Sequence, residues 1–198
     1  MNINSDKKVS ILIFASGNGS NAENIIKYFQ EKYFNINWII ITNNANAGVI
    51  QKSIKMDIPF LVFGNKDFYE NKLLDKIEEI NPILIILAGF LLKIPENLIR
   101  KFPKKIINIH PSLLPKYGGK GMYGMNVHKE VIKNKEDQSG ISIHYVNNQY
   151  DDGKIIFQKS TKIIYPSTAE KLAKKIHELE MKYFPEVIEK LIDSEYYE

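Results

Sequence analysis

"VSILIFASGNGSN", Val9 to Asn21, opens with seven residues, six of them apolar and most of those β-branched, long aliphatic or aromatic. It then breaks into glycines and small polar residues, and helical periodicity follows. A run with no polar face suits a strand buried on both sides, as parallel sheets require, and the loop and helix after it complete the repeating unit of such sheets. The pattern recurs. Further strands are predicted at Ile36 to Thr42, Ile58 to Phe63, Pro82 to Phe90 and Lys105 to His110. Between them, helical patterns cover Asn21 to Tyr33, Ala47 to Asp57, Lys66 to Ile80 and Glu96 to Phe102. This predicts an α/β fold with a Rossmann-like, doubly wound, mostly parallel sheet.

Beyond His110 the rhythm changes. "KYGGKGMYG", Lys116 to Gly124, holds four of the eleven glycines and reads as a mobile loop. A helix is expected from Met125 to Asn134. Two strands follow, Gly140 to Val146 and Gly153 to Ile164, joined across "NNQYDD" and expected to be antiparallel. A long amphipathic helix from Ala169 to about Asp193 ends the pattern. With no repeats, low-complexity tract or linker, residues 1–198 read as a single domain.

Composition narrows the chemistry. Hydrophobic residues at 44% and charged residues at 25% are ordinary for a globular chain. The absence of cysteine excludes disulfides, zinc–thiolate sites and thiol catalysis, and points to a reducing, cytoplasmic setting. The apolar core near the N-terminus is too short to span a membrane and has no secretory cleavage signature. Net charge is +4, but the lysines are scattered among glutamates, without the basic stripe or module that nucleic-acid binding uses. A mildly cationic surface suits small anionic substrates.

Three stretches could carry chemistry. In "ASGNGSN" the glycines allow close backbone approach, and the helix start presents free N–H groups that suit a phosphate. The alternative is a tight strand-to-helix turn capped by Ser20 or Asn21. The stretch lacks the Gly-Lys-Ser/Thr of a Walker loop and the third glycine of the dinucleotide fingerprint, and the second strand ends "TNN" without an acid, so an NAD(P) site is disfavoured. In "INIHPSLLP", Ile107 to Pro115, Asn108 and His110 stand two apart and share a strand face at its C-terminal end, where open α/β sheets place ligands. They form either a pair that holds a carbonyl oxygen beside a proton donor, or a proline-braced turn with two satisfied polar groups. "YDDG", Tyr150 to Gly153, offers carboxylates in a turn, one of which could face His110 and favour its charged form. The other histidines, His128, His144 and His177, show no metal-ligand spacing, and Ser112 lies in no nucleophile elbow.

Taken together, "SGNGSN", "LAGF", "NIHPSLLPKY" and Asp-x-Gly, in this order and over essentially the whole chain, closely resemble the phosphoribosylglycinamide formyltransferase family. That resemblance implies transfer of formyl from 10-formyltetrahydrofolate to the amine of 5-phosphoribosylglycinamide (GAR), without a metal. It implies a phosphate/nucleotide-binding half at about 7–110 and a folate-site and C-terminal half at about 111–198. Asn108, His110 and Asp151 match the catalytic trio, Asp151 rather than Asp152 because Gly153 completes Asp-x-Gly. Gly19, Ser20 and Asn21 match the loop that holds the GAR phosphate, and Glu180 matches a GAR contact on the last helix. Leu91, Leu92, Lys93 and Ile94 match the folate-pocket segment, to which Asn108 also belongs. Lys66 stands where relatives carry a folate-binding Arg, a swap that keeps the charge and loses the bidentate fork.

By the same resemblance, Asn108 would donate to the developing oxyanion, and His110, kept protonated by Asp151, would stabilise it and protonate the departing folate nitrogen. The loop "KYGGKGMYGMNVH" is longer than in some relatives, with Asn126 at the first histidine position and His128 at the second. Related readings are a formyltetrahydrofolate hydrolase, expected to carry an added N-terminal regulatory domain, and a methionyl-tRNA formyltransferase, expected to need an RNA-binding domain. A non-catalytic nucleotide-binding module would explain the glycine loop alone. Expected partners are GAR and the folate, with no nucleic acid or membrane; monomer and homodimer both stay open.

Overall fold

The computed structural model describes residues 8–30, 32 and 35–196. Along the chain run β1 (Val9–Phe14), α1 (Ser20–Gln30), β2 (Ile36–Thr42), α2 (Gly48–Lys55), β3 (Phe60–Val62), α3 (Asn65–Tyr69), α4 (Asn71–Ile80) and β4 (Leu84–Leu87). Then come α5 (Glu96–Lys101), β5 (Ile106–His110), α6 (Met125–Lys133), β6 (Gln138–Tyr145), β7 (Ile155–Lys162) and α7 (Ala169–Tyr196). The sheet order is β3-β2-β1-β4-β5-β6-β7. Strands β1 to β5 pair in parallel, while β5–β6 and β6–β7 are antiparallel. The winding reverses between β1 and β4, and in such sheets a crevice opens outside the carboxyl ends of the strands at that point.

The apolar runs are explained by two cores. On β1, Ile11 and Ile13 pack with Ile25, Phe29, Phe184 and Ile188 on one face, while Leu12 and Phe14 pack with Phe68, Ile77 and Leu98 on the other. Alternate residues of one strand thus feed opposite cores, which is why the strand has no polar side. Edge strand β7, by contrast, is largely exposed.

Several boundaries differ from the sequence expectation. The helix predicted over Lys66 to Ile80 is two helices, because Glu70 is extended at φ −85° and ψ 164°. The fourth strand stops at Leu87, not Phe90: Gly89 at φ +73° turns the chain although Ala88 is still buried, so hydrophobicity there marks a packed loop. The third strand is only Phe60–Val62, and the last, Ile155–Lys162, is shorter than predicted. Strand β6 begins earlier, at Gln138, because Gln138 pairs with Lys162. The first helix ends at Gln30, with Lys32 in a turn; Tyr33 lies outside the described residues. Helix α7 runs on to Tyr196 through Pro185. A proline there removes one helical hydrogen bond, but the flanking Phe184 and Val187 are buried, and this packing holds the axis.

Candidate active site

The carboxyl ends of β1, β4 and β5 are neighbours in the sheet, so the loops after them converge. Ser16 binds two of these loops together. Its N–H donates to the Gly89 carbonyl (3.1 Å), and its Oγ donates to Asn43 Oδ1 (2.6 Å) and accepts the Leu91 N–H (3.0 Å). Around this junction lies a cavity of about 800 Å³ whose wall includes Asn21, Leu91, Asn108, His110, Asp151 and Glu180.

The reach from His110 to Asp151 follows from the β5–β6 register. Asn108 lies opposite His144, and His110 opposite Ser142. His144 donates from Nδ1 to the Tyr145 carbonyl (2.8 Å), which leaves Nε2 to accept from Asn108 Nδ2 (3.1 Å). Asn108 Nδ2 also points at Asp151 Oδ1, at 3.5 Å. Asp151 Oδ2 stands 3.5 Å from His110 Nδ1 and accepts the Gly119 N–H at 2.9 Å. His110 Nε2 donates to the Tyr117 carbonyl at 2.7 Å. Asn108, His110 and Asp151 therefore form one cluster. The start of the glycine loop closes over it, and Tyr117 Oη donates to Glu136 Oε1 (2.8 Å) to anchor the loop from outside.

Gly153 lets Asp151 take this position. A Cβ at residue 153 would collide with the Tyr145 carbonyl oxygen, so the Asp-x-Gly spacing reflects close backbone approach beside the carboxylate. The turn after His110 is held from β6. Ser142 Oγ donates to the Ser112 carbonyl (2.6 Å) and accepts from the Leu114 N–H (3.0 Å) and Gln158 Nε2 (2.8 Å). Ser112 donates to the Lys116 carbonyl (2.7 Å) and is buried, in keeping with a turn residue. Ser142→Ala is expected to destabilise the fold by about 2–6 kcal/mol, because two buried backbone groups lose a partner at roughly 1–3 kcal/mol each. Urea unfolding checks this; a change below about 0.5 kcal/mol, the range of ordinary surface substitutions, would contradict it.

The electrostatics revise one expectation. Burial pushes the His110 pKa below its usual value, only partly opposed by Asp151 and the Tyr117 carbonyl, so the ligand-free ring rests neutral near pH 7. For Asp151, burial acts to raise the pKa, yet the contacts with His144, His110 and the Gly119 N–H outweigh it and hold the carboxyl below its ordinary value. Burial also lowers the pKa of His128. His177 shifts the other way, raised by its hydrogen bond to Glu180.

Because His110 and His128 titrate lower when folded, the unfolded chain takes up protons first as pH falls below 6.5. Their contribution to stability is complete above that value and is lost as pH falls through their folded pKa values. His177 contributes in the opposite sense, below 6.5 and lost on alkalinisation. Thermal midpoints are accordingly expected to fall from about pH 7.5 to about pH 5, with a smaller fall in His128→Gln. An equal fall in both proteins would contradict the assignment to His128.

At the far end of the cavity, Asn21 in the first turn of α1 donates from Nδ2 to Glu180 Oε2 (3.0 Å), and His177 Nδ1 lies 3.2 Å from the same oxygen. Asn21 and Glu180 line the wall together with Gly17. Gly19 and Ser20 are not on it; Gly19 is buried at φ +73°, where a side chain would strike Val49, and Ser20 begins the helix. Leu91, Leu92, Lys93 and Ile94 all line the opposite part, with the Lys93 ammonium 5.8 Å from the Tyr150 ring centroid. Lys66 does not reach the cavity. It follows edge strand β3, its side chain is 89% exposed, and its ammonium lies 3.9 Å from Glu70.

Sequence reading passed over His144, Ser16 and the Tyr117 carbonyl. The only available signal was in "GISIHYV", where Ser142 and His144 alternate as Asn108 and His110 do. Asn21 Oδ1 and His128 Nδ1, on two residues of the wall, are buried without a protein partner. Among the described residues no cluster of three or more His, Cys, Asp or Glu could hold a metal ion, and no helix is long and apolar enough to cross a membrane.

Residues 9–188 match the family described as Formyl transferase. The chain is 35% identical over 189 residues to the chloroplastic phosphoribosylglycinamide formyltransferase of Arabidopsis thaliana, covering 92% of this chain and 65% of that protein. It thus spans about two thirds of the plant protein's length. It is also 35% identical over 190 residues to the phosphoribosylglycinamide formyltransferase of Bacillus subtilis, covering 91% of this chain and 93% of that one. The crystal structure of the Bacillus halodurans phosphoribosylglycinamide formyltransferase superposes with a TM-score of 0.84 at 29% identity, over 96% of this chain and 97% of that one.

Proposed function

This chain belongs to the formyl transferase family, and from that premise we propose that it moves a formyl group from 10-formyltetrahydrofolate to the amine of GAR, as a step of purine biosynthesis. Membership implies a folate-type one-carbon donor. The observation that carries the reading is the convergence of Asn108, His110 and Asp151 between two different ends of one cavity. One end, Asn21 with Glu180, is polar and lies at a helix N-terminus, which suits the phosphoribosyl part of GAR. Gly19 and Ser20 would support that end from behind. The other, Leu91 to Ile94 with Tyr150, is more apolar and suits a flat heterocycle.

In this reading the formyl carbon sits above Asn108 and His110. The 3.5 Å contact of Asn108 Nδ2 with Asp151 is the longer of its two, so that hydrogen is the one a substrate oxygen takes over. His144 meanwhile holds the amide in orientation. His110 rests neutral, but its two ring nitrogens face the Tyr117 carbonyl and the Asp151 carboxylate, an arrangement ready to accept the proton that the attacking amine sheds as its nitrogen bonds to the formyl carbon and negative charge gathers on the formyl oxygen. The imidazolium then offsets the oxyanion and delivers its proton to the departing folate nitrogen. Lys66, exposed and paired with Glu70, would contribute to folate binding only through a tail extending beyond the cavity.

The test is to supply 10-formyltetrahydrofolate with GAR, with water alone, or with charged tRNA, and to follow tetrahydrofolate release. Release that depends on GAR is the expected result. Release in water alone would assign a hydrolase, and release that requires tRNA would assign a tRNA formyltransferase.

A further inference from the structure

The formyl donor has two unequal arms. In 10-formyltetrahydrofolate the formyl-bearing nitrogen joins a pterin ring system to an aminobenzoyl ring, and that ring carries a glutamate with its α- and γ-carboxylates. With the formyl group at Asn108 and His110, both arms run along the more apolar end of the cavity. The wall there has two sections. Leu87 and Ile94 are buried, at 6% and 4% exposure, whereas Leu91 and Tyr150 stand open to solvent, at 54% and 43%. The pterin fits the buried section. The aminobenzoyl ring takes the open one, because the carboxylates beyond it stay hydrated only at the rim.

Charge decides what meets those carboxylates. Among the described residues, two lysines, Lys93 and Lys120, and no arginine line the cavity. Neither ammonium is held by a carboxylate of a described residue. Lys120 stands in the glycine loop between Gly119 and Gly121, at φ +97° and +88°. Lys93 is placed more firmly. It precedes the buried Ile94, in the turn that Ser16 holds through the Leu91 N–H, and its ammonium is 5.8 Å from the centre of the Tyr150 ring. Tyr150 directly precedes Asp151 in the chain, so the trio, an open aromatic face and a free cation are neighbours in that order. Lys66, by contrast, is off the wall and lies 3.9 Å from Glu70.

We propose that Lys93 holds the glutamate carboxylates of the donor and makes the cavity prefer a folate with a glutamyl tail over one without. This rests on the formyltransferase reading above. An ammonium on a flexible stem can serve either carboxylate, and Lys93 has no ion pair to give up before it does so. At an exposed rim the attraction is modest and sensitive to salt. It therefore acts on recognition of the donor, leaving the chemistry to the trio.

The experiment compares wild type with Lys93→Ala, using 10-formyltetrahydrofolate and 10-formyltetrahydropteroate, which lacks the glutamate, at saturating GAR. The wild-type preference for the glutamyl donor should fall about twofold to fivefold in K93A, the range of an exposed ion pair. The change should lie in the donor KM rather than in kcat, and Lys93→Arg should restore the preference. In wild type the preference should also shrink at about 1 M salt. An equal loss with both donors would show that Lys93 acts through packing on Tyr150, and would overturn the assignment. So would a larger loss of preference in Lys66→Ala or Lys120→Ala than in K93A, or a wild-type preference indifferent to salt. Calorimetric binding of folate and pteroate to wild type and K93A separates this inference from the reading beneath it. If GAR is not formylated but the Lys93-dependent preference for folate over pteroate is present, the reading fails and the inference stands. If GAR is formylated and that preference is absent, the inference alone fails; a wild type that binds neither compound and leaves GAR unformylated overturns both.

Discussion

His110→Ala is expected to lower kcat for GAR formylation by about 10²- to 10⁴-fold, the usual contribution of a positioned acid or base. KM for either substrate should change far less, since the lost interaction develops with charge in the transition state. The fold should survive. Truncation leaves the Tyr117 carbonyl without its imidazole donor, at a cost of about 1–3 kcal/mol against a typical stability of about 5–15 kcal/mol. For a chain of this length that corresponds to a fall of about 2–12 °C in Tm. Steady-state kinetics and thermal unfolding of the same preparation check both parts. Wild-type turnover in a folded H110A protein would remove His110 from the mechanism.

Asp151→Asn is expected to lose turnover on the order of a hundredfold or more, with a change in pH dependence that identifies the cause. The amide can still accept the Gly119 N–H, so the loop contact persists. What disappears is negative charge 3.5 Å from His110 Nδ1. Burial already lowers the His110 pKa and Asp151 partly offsets it; without that offset the pKa falls further. Less His110 is then protonated near neutrality, so the residual activity should peak at lower pH than in wild type. A D151N profile of unchanged shape would mean that Asp151 acts through geometry alone.

These two residues also show how far a sequence can be read. Asn108 and His110 stood out because strand periodicity is local: residues two apart share a face whatever lies around them. Their position at a strand end, and hence near the crevice, followed from the order of strands and helices. The two-sided burial of β1 was likewise legible in its unbroken apolar run. The split of α3 from α4 was not, because Asn65 to Ile80 keeps a helical pattern across Glu70 and no glycine or proline marks the break. The placement of Lys66 was hidden for a related reason: its charge is visible in the sequence, but its distance from the cavity depends on β3 being the sheet edge.

By itself the sequence determined the fold class, the site's strand-end location and the chemical types at its centre, since each depends on patterns within a few residues. Only the tertiary structure decided that His144 orients Asn108, that Ser142 braces the proline turn, and that Tyr117 and Gly119 fold back onto His110 and Asp151. It also set the direction in which the His110 pKa moves, because burial outweighs the carboxylate the sequence had paired with it. The reason is common to all of these. Cross-strand register, loop closure and desolvation arise between segments far apart in the chain, and a local pattern carries no record of which segments will meet.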